Sequence, residues 1–499
     1  MVIRVHPDFK RLLLICSAGL LLRLVFLPIS ETTEADAVSR VFAAQRWLME
    51  PHFITHGVWG PLYTYLVALA MWIIPDAVIA PVLLNIVFAV ATAIPLYFFT
   101  KNEFGERGAV FVAAAFVFYP LAVRNSLMAL SEIPFMFFVW TTLYFVSTLR
   151  RGTNATRDAV LAGLSLTCAG ALRYEAWVLI PLLAVILWRQ PRALILFLII
   201  SSAFPILWMI GNAVYAGDPL HGATAARDWH INVEGTTEDL TLTSTIVRLV
   251  FYPVALLFGI TPIVAALAAV GIVACLRQGN RCLHVRIWLV PLAGLFVFLL
   301  WQTMNGALII RVRYSITVGM LALPFAAVPI AHLKSARLTR TCLVLIVLTM
   351  IPLSLLSRLP LIPTDTEAVP SLKSNRAHEV LAYFNSHPND ISSGLILDFF
   401  SWEDTYYLAL MSRVHPDNIL IMPGGKHEQL DTGTLTTFLA QHTAGVLVLD
   451  RNSRLAQESV FRDTNLYLSP LSPALQVTLS QEISSTAVFN YRVAQTPDN

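Results

Sequence analysis

The side chains able to move a proton or hold an anion gather in a few short strings, each beside a long apolar run. The first, ETTEADAVSRVFAAQRWL, sets Glu31, Glu34 and Asp36 ahead of a stretch that reads as a helix to about Trp47. Asp36 falls in the first turn of that helix, where the dipole favours a carboxylate. Helix capping beside an exposed acidic run and general-base chemistry account for it equally well from this segment alone. The second, RNSLMALSEIPF, separates Arg124 from Glu132 by small and apolar residues. Ser131 and Glu132 are also what an ordinary helix N-terminus carries, and taken alone that reading is ahead. The third, LRYEAW, puts Arg173, Tyr174 and Glu175 in a very tight turn between two apolar runs. Polar side chains at such a boundary are costly unless paired, so a local Arg173 to Glu175 ion pair stands level with a functional role.

Two later strings add cations. The loop NAVYAGDPLHGATAARDWH carries Asp218, His221 and Arg227, and His221 reads there as structural sooner than catalytic. In IIRVRYSITVGMLALP, Arg311 and Arg313 precede an apolar run and Tyr314 sits at its edge. A guanidinium is a planar fork of donors suited to phosphate oxygens. Arg311 reads best as snorkelling among headgroups, Arg313 as binding an anion. Gly424-Gly425 alone is a turn, and the chain shows no phosphate-loop or dinucleotide glycine pattern. Neither does a serine or cysteine with a base at motif spacing suggest a covalent intermediate.

The elements that must position these residues follow from composition. Of 499 residues 56% are hydrophobic and 13% charged, with a mean hydropathy of +0.67, far from the soluble balance of about 25% charged. Residues 361–499 hold 8 Lys/Arg against 15 Asp/Glu, which leaves 26 against 16 for residues 1–360. A basic apolar part and an acidic polar part share one chain. All five cysteines (16, 168, 275, 282 and 342) precede the acidic part, so no disulfide staples it. These facts exclude a nucleic-acid binder, a secreted disulfide scaffold and a soluble enzyme.

A membrane span needs about 20 apolar residues, and Lys/Arg in short loops mark the cytoplasmic side. Apolar runs at 12–27, 79–100, 108–122, 133–149, 158–172, 175–188, 193–213, 257–275, 287–303, 315–333 and 341–357 make roughly eleven spans. The first follows Lys10 and Arg11, lacks a small-residue cleavage site and contains Arg23, which suits a retained anchor with a cytoplasmic N-terminus. Basic clusters recur at every other connector: Lys101/Arg107, Arg150/Arg151/Arg157, Arg189/Arg192, Arg277/Arg281/Arg286 and Lys334/Arg337/Arg340. The opposite connectors hold the candidate residues, so chemistry belongs on the outer face. Residues 59–74, WGPLYTYLVALAMWII, are short and rich in interfacial aromatics, and read as a helix on the membrane surface within the first outer loop, 29–78. The whole is an α-helical polytopic membrane protein with a transmembrane bundle, 1–357, and a C-terminal soluble α/β domain, 361–499. In the latter, helices at 371–386, 402–413 and 433–442 alternate with strands at 394–398, 418–422 and 445–450, which predicts a small parallel unit. Strand-like runs at 475–479 and 487–493 complete the sheet. The bundle shows no internal repeat of the transporter kind.

Three of these strings together resemble the GT-C superfamily of polyprenyl-phosphate-sugar-dependent glycosyltransferases, which includes the protein O-mannosyltransferases and the lipid A aminoarabinose transferase. They are the D-A-x-x-R-x-x-x-A helix from Asp36, the W-G-P-L-Y-x-Y-L surface helix from Trp59, and R-x-x-x-x-x-x-S-E-x-P-F from Arg124. The resemblance implies that Asp36, with Glu34 two residues before it, supplies the first-loop acid that accepts the nucleophile's proton, and that Glu132 is the second-loop acid. It further implies that Arg313 and Tyr314, with Arg311, Arg124, Arg173, Tyr174, Glu175 and His221, line the lipid-phosphate and substrate site. Gly60-Pro61-Leu62 matches the family's P-P-L only in part, with Val58 and Trp59 where the aminoarabinose transferase has charged residues. One branch of the family holds a divalent cation, magnesium or manganese, between the two loop acids and the others do without; the sequence leaves both open.

The expectation is a multi-pass plasma (inner) membrane glycosyltransferase moving a hexose or pentose from a polyprenyl-phosphate carrier in the bilayer to an envelope acceptor, in one inverting displacement. The alternative is a flippase for lipid-linked sugars with no bond chemistry; the placement of acids at outer loop ends instead of the bilayer midplane favours the transferase. Topology is checked by labelling cysteines placed at positions 280 and 430 with an impermeant thiol reagent in intact cells. Labelling at 430 alone is expected; labelling at 280 alone overturns the orientation.

Overall fold

A computed structural model describes residues 7–53, 58–152, 154–237, 241–277, 283–332, 336–356, 370–399, 401–422, 432–450, 459–462, 465–468, 475–483 and 486–493. Asp239, Arg281, Cys282, Lys334 and the Gly424-Gly425 turn lie outside the described residues. The chain divides into two compact units. One comprises Met1–Thr32, His52–Ala70 and Pro81–Ser371, the other Thr33–Pro51, Met71–Ala80 and Leu372–Asn499. Instead of one boundary near residue 360, two pieces of the first connector are compact with the C-terminal residues.

In chain order the helices of the first part are α1 (Pro7–Phe26), α2 (Ala35–Met49), α3 (Leu62–Ile73), α4 (Ile79–Phe104), α5 (Glu106–Val117), α6 (Pro120–Ser126), α7 (Glu132–Arg150), α8 (Ala155–Leu172) and α9 (Glu175–Leu187). They continue with α10 (Pro191–Ala216), α11 (His221–Asn232), α12 (Leu242–Gly259), α13 (Pro262–Arg277), α14 (Leu283–Arg286), α15 (Leu289–Met304), α16 (Ser315–Ala322), α17 (Ala327–His332) and α18 (Ala336–Leu356). Among the described residues every one of the eleven apolar runs is helical over most of its length, 108–122 and 257–275 being broken between two helices. Six helices are long and apolar enough to cross a membrane among the described residues, or eight if the bent pairs α5/α6 (49°) and α12/α13 (107°) each count once. The expected eleven spans are not reached. Helix α9 has 13 residues, about 20 Å of helix against a hydrocarbon core of about 30 Å. The 12 residues of α3 fall shorter still, in keeping with its expected exclusion from the crossings.

Leu14, Leu21, Ile199, Leu207 and Val214 are more than half exposed on α1 and α10. Helices that are apolar all round, with this much apolar side chain outside, belong against lipid. Inside the unit, small residues let helices approach. A Cβ at Gly19 would stand 2.9 Å from Val117 Cβ, and one at Gly271 would stand 1.9 Å from the Phe325 carbonyl oxygen.

The second unit adds α19 (Asn375–Ser386), α20 (Pro388–Ser392), β1 (Leu395–Asp398), α21 (Trp402–Met411), β2 (Ile419–Ile421), α22 (Thr432–Gln441), β3 (Ala444–Asp450), β4 (Ser459–Arg462), β5 (Asn465–Leu468), β6 (Leu475–Ile483) and β7 (Thr486–Val493). The sheet runs β2-β1-β3-β7-β6-β5-β4. Strands β1, β2 and β3 are parallel, as the helix–strand alternation predicts. The remaining four join antiparallel, so the sheet is mixed, because two-residue connections such as those after β4 and β6 admit only hairpins. Side chains alternate between two covered faces: Leu395, Leu397, Val446, Val448 and Val488 meet α2, α19 and α21, while Ile396, Leu447, Leu449 and Phe489 meet α22. Burial on both faces is why β1 and β3 read as unbroken apolar runs.

Gly271→Ala tests the bundle packing. Its new methyl meets backbone, which cannot swing aside, so a loss of about 1–3 kcal/mol is expected, seen as a lowered unfolding midpoint in detergent. An unchanged midpoint means α13 does not pack on the Leu323–Ala326 turn.

Candidate functional site

Helices α7 and α8 have 19 and 18 residues and only a short connector between them. A short connector makes antiparallel neighbours, so the start of α7 comes beside the end of α8, and Glu132 meets Arg173. Arg173 ends α8 in extended backbone, and α9 begins two residues later with Glu175. The guanidinium is held from two sides. Its Nη1 lies 2.6 Å from Glu132 Oε1, while Nη2 and Nε donate to Glu175 Oε1 at 2.6 and 3.0 Å. The pair expected within the turn is present, and Glu132 extends it across 41 residues.

Tyr314 ties a second arginine to the first. Its ring lies 5.9 Å from Arg173 Cζ and 5.1 Å from Arg313 Cζ, and Arg313 Nη2 donates to its hydroxyl at 3.3 Å. Glu132 is 2% and Arg313 4% exposed. Burial by itself pushes the Arg173 guanidinium down, and the carboxylates of Glu132 and Glu175 outweigh it, holding it above the ordinary arginine value. Ser131 precedes α7 without making the expected cap. Glu132 Oε2, at the positive end of that helix, is buried with no hydrogen-bond partner among the described residues. Two guanidiniums, two carboxylates and one phenol thus form one buried lattice.

Asn85, which the sequence reading passed over, and Gly60 and Arg23, which it named for other reasons, brace the turns around the lattice. Asn85, fully buried in α4, donates from Nδ2 to the carbonyls of Met128 and Leu130 and accepts the Tyr63 hydroxyl at 3.2 Å. It fixes the turn that leads into Glu132 and fastens α3 to it. Gly60, before α3, lies where a Cβ would come 2.3 Å from the Ala171 carbonyl oxygen, so only glycine admits α3 beside the end of α8. Arg23 of α1 donates from Nε to Ser126 Oγ at 2.9 Å and from Nη1 to the Gly19 and Val117 carbonyls at 3.0 Å. Val117 ends α5 at the bend, where a broken helix leaves carbonyls unbonded, and Arg23 satisfies one. The signal available for both was a polar residue inside an apolar run, which is rarely idle in a membrane.

Asp36 is in the first turn of α2 and Glu34 at its N-cap, Glu34 being buried, and both belong to the second unit. Arg124 is buried near the end of α6. Tyr174 accepts from Trp208 Nε1 at 3.2 Å and meets Trp177 edge-on at 5.0 Å, an aromatic clasp between α9 and α10. Arg311 is partly exposed, in contrast to Arg313. His221 opens α11, and Asp218 precedes that helix, its carboxylate accepting from Leu220 N at 2.9 Å and Thr224 Oγ1 at 2.6 Å. Among the described residues no group of three or more His, Cys, Asp or Glu side chains converges as a metal site would require.

The sequence profile of the dolichyl-phosphate-mannose-protein mannosyltransferase family matches residues 56–210, a stretch that holds Gly60, Asn85, Glu132, Arg173 and Glu175. No curated protein matches the chain in sequence. Two crystal structures of ArnT from Cupriavidus metallidurans share its fold: bound to undecaprenyl phosphate, with TM-score 0.63 and 11% identity over 96% of this chain and 97% of that one, and apo, with TM-score 0.59 and 11% identity over 97% and 98%. The Archaeoglobus fulgidus oligosaccharyltransferase in complex with Zn and sulfate matches at TM-score 0.53 and 12% identity, over 87% of this chain and 68% of that one. Identities this low speak to fold. The GT-C resemblance drawn from the loop strings holds: the chain is multi-pass, with the GT-C glycosyltransferase fold.

Arg173→Ala leaves Glu132 and Glu175 buried without their cation, and such a break costs about 3–5 kcal/mol. Arg173→Lys, which keeps the charge but not the fork, is expected to fall between it and the native protein. The unfolding midpoint in detergent reads both; a native midpoint for Arg173→Ala contradicts the lattice.

Proposed function

We propose that this chain of GT-C fold transfers a sugar, a hexose or a pentose, from a polyprenyl-phosphate carrier to an acceptor of the cell envelope on the extracytoplasmic face of the plasma membrane. The observation that carries the reading is the buried lattice of Arg173, Glu132, Glu175, Tyr314 and Arg313. It lies in a fold shared over nearly the whole chain with a protein crystallised with undecaprenyl phosphate. A lipid phosphate needs fixed positive charge as its bond to the sugar breaks. Arg313 is the group assigned to it, a buried guanidinium fork stacked near the same Tyr314 ring as Arg173.

The reaction is a single displacement. Asp36 accepts the proton of the acceptor's hydroxyl or amine, the freed electron pair forms the new bond to the anomeric carbon, and the old carbon–oxygen bond breaks with its electrons passing to the phosphate. Polyprenyl phosphate leaves and the anomeric configuration inverts. Glu34 serves beside Asp36. Glu132, fixed on Arg173, keeps that arginine in place and so acts through position.

Asp36→Asn preserves shape and removes the base, so turnover is expected to fall by about a hundredfold or more, within the range of general-base contributions, with the protein still folded in the membrane. Arg313→Ala is expected to weaken use of the lipid-linked donor more than Arg313→Lys, which retains charge without the fork. Native turnover in Asp36→Asn together with loss in Glu34→Gln moves the base by two residues; native turnover in both refutes the mechanism.

A further inference from the structure

The helix that carries the proposed base is built into the C-terminal unit. On α2, Val38 is fully buried and Phe42 8% exposed in one core with Ala377, Tyr407, Leu408 and Val414. Residues four apart share a helix face. At about 100° per residue Asp36 lies roughly 120° to 160° around the helix from these two, and so is directed away from the face they bury. The far end of α2 is pinned as well: Arg46 Nε lies 2.7 Å from Asp417 Oδ1, and its Nη2 donates to the Pro416 carbonyl at 3.4 Å. The second piece of the first connector meets the same corner, where Arg413 Nη2 lies 3.1 Å from Asp76 Oδ2. Asp76 in turn accepts from Val78 N at 2.8 Å and Ile79 N at 2.9 Å. Arg413 has φ 57°, a left-handed conformation costly for a residue with a side chain and kept only where the surroundings fix it.

We propose that the C-terminal unit seats the first-connector acid: the apolar face of α2 and the corner between α21 and β2 set where Asp36 stands, with Phe42, Arg46 and Asp417 as positioning residues for proton transfer. This rests on Asp36 being the base. Half-exposed ion pairs stabilise little, so Arg46–Asp417 fixes register along the helix while the buried side chains of Val38 and Phe42 supply most of the binding. A shift of the base by an ångström or so is enough to slow a reaction strongly.

The test measures kcat and KM of the full-length protein in detergent, with a polyprenyl-phosphate-linked sugar extract and an envelope extract of the native host. Phe42→Ala is expected to lower kcat by about tenfold or more at unchanged KM for the donor, and Phe42→Leu to restore most of it. In an Asp36→Asn background Phe42→Ala is expected to cost nothing further, since there is no base left to displace. An equal fall in both backgrounds overturns the proposal, because general damage to the fold does not depend on residue 36. Should Phe42→Ala not accumulate, Arg46→Asp is expected to lower kcat and the added Asp417→Arg to recover it; no recovery counts against the proposal. Native turnover of Asp36→Asn alone instead overturns the base assignment, and the inference with it.

Discussion

The meeting point of α7, α8 and α9 depends on one buried cation. Arg173 sits between Glu132 and Glu175 with its side chain 12% exposed, and removing these three groups from water costs several kcal/mol per ion unless each finds its counter-charge. The guanidinium fork meets that condition by facing a carboxylate on either side. Arg313, brought to the same Tyr314 ring, makes the set formally neutral: two arginines, two glutamates. Balanced charge of this kind is what lets ionised groups persist away from water.

The rest of the first unit can be understood as what this cation requires. The nearly matched lengths of α7 and α8 bring Glu132 to Arg173; Asn85 holds the turn before Glu132; Gly60 lets α3 close against the end of α8. Arg23 secures the bend from α5 into α6, from which that same turn departs. Each is a polar or missing side chain in an otherwise apolar setting. In a membrane such a residue is retained only where a backbone or a charge needs it.

Sequence periodicity reports which residues are buried, and seldom with whom. The apolar runs, the short helix from Leu62, the Arg173–Glu175 turn and the β1-α21-β2-α22-β3 alternation were therefore legible. The partner of Glu132 was not, since Arg173 lies 41 positions away and Ser131-Glu132 looked like a common cap. Asn85 and Arg23 were visible as polar interruptions but carried no sign of what they hold. Hydropathy groups a 13-residue apolar helix such as α9 with longer ones, so of eleven expected spans six to eight have the length for a crossing among the described residues. The interleaved unit was out of reach as well: nothing local in ADAVSRVFAAQRWLM says that Val38 and Phe42 pack with residues beyond 370.

The most direct measurement gives the purified protein a labelled sugar in two forms, linked to polyprenyl phosphate or to a nucleotide, in the presence of envelope acceptor. Transfer from the lipid alone, with release of polyprenyl phosphate and an inverted anomeric linkage in the product, is the predicted result. Direct use of the nucleotide sugar without any lipid, or passage of the intact lipid-linked sugar across a vesicle membrane with no bond broken, contradicts it.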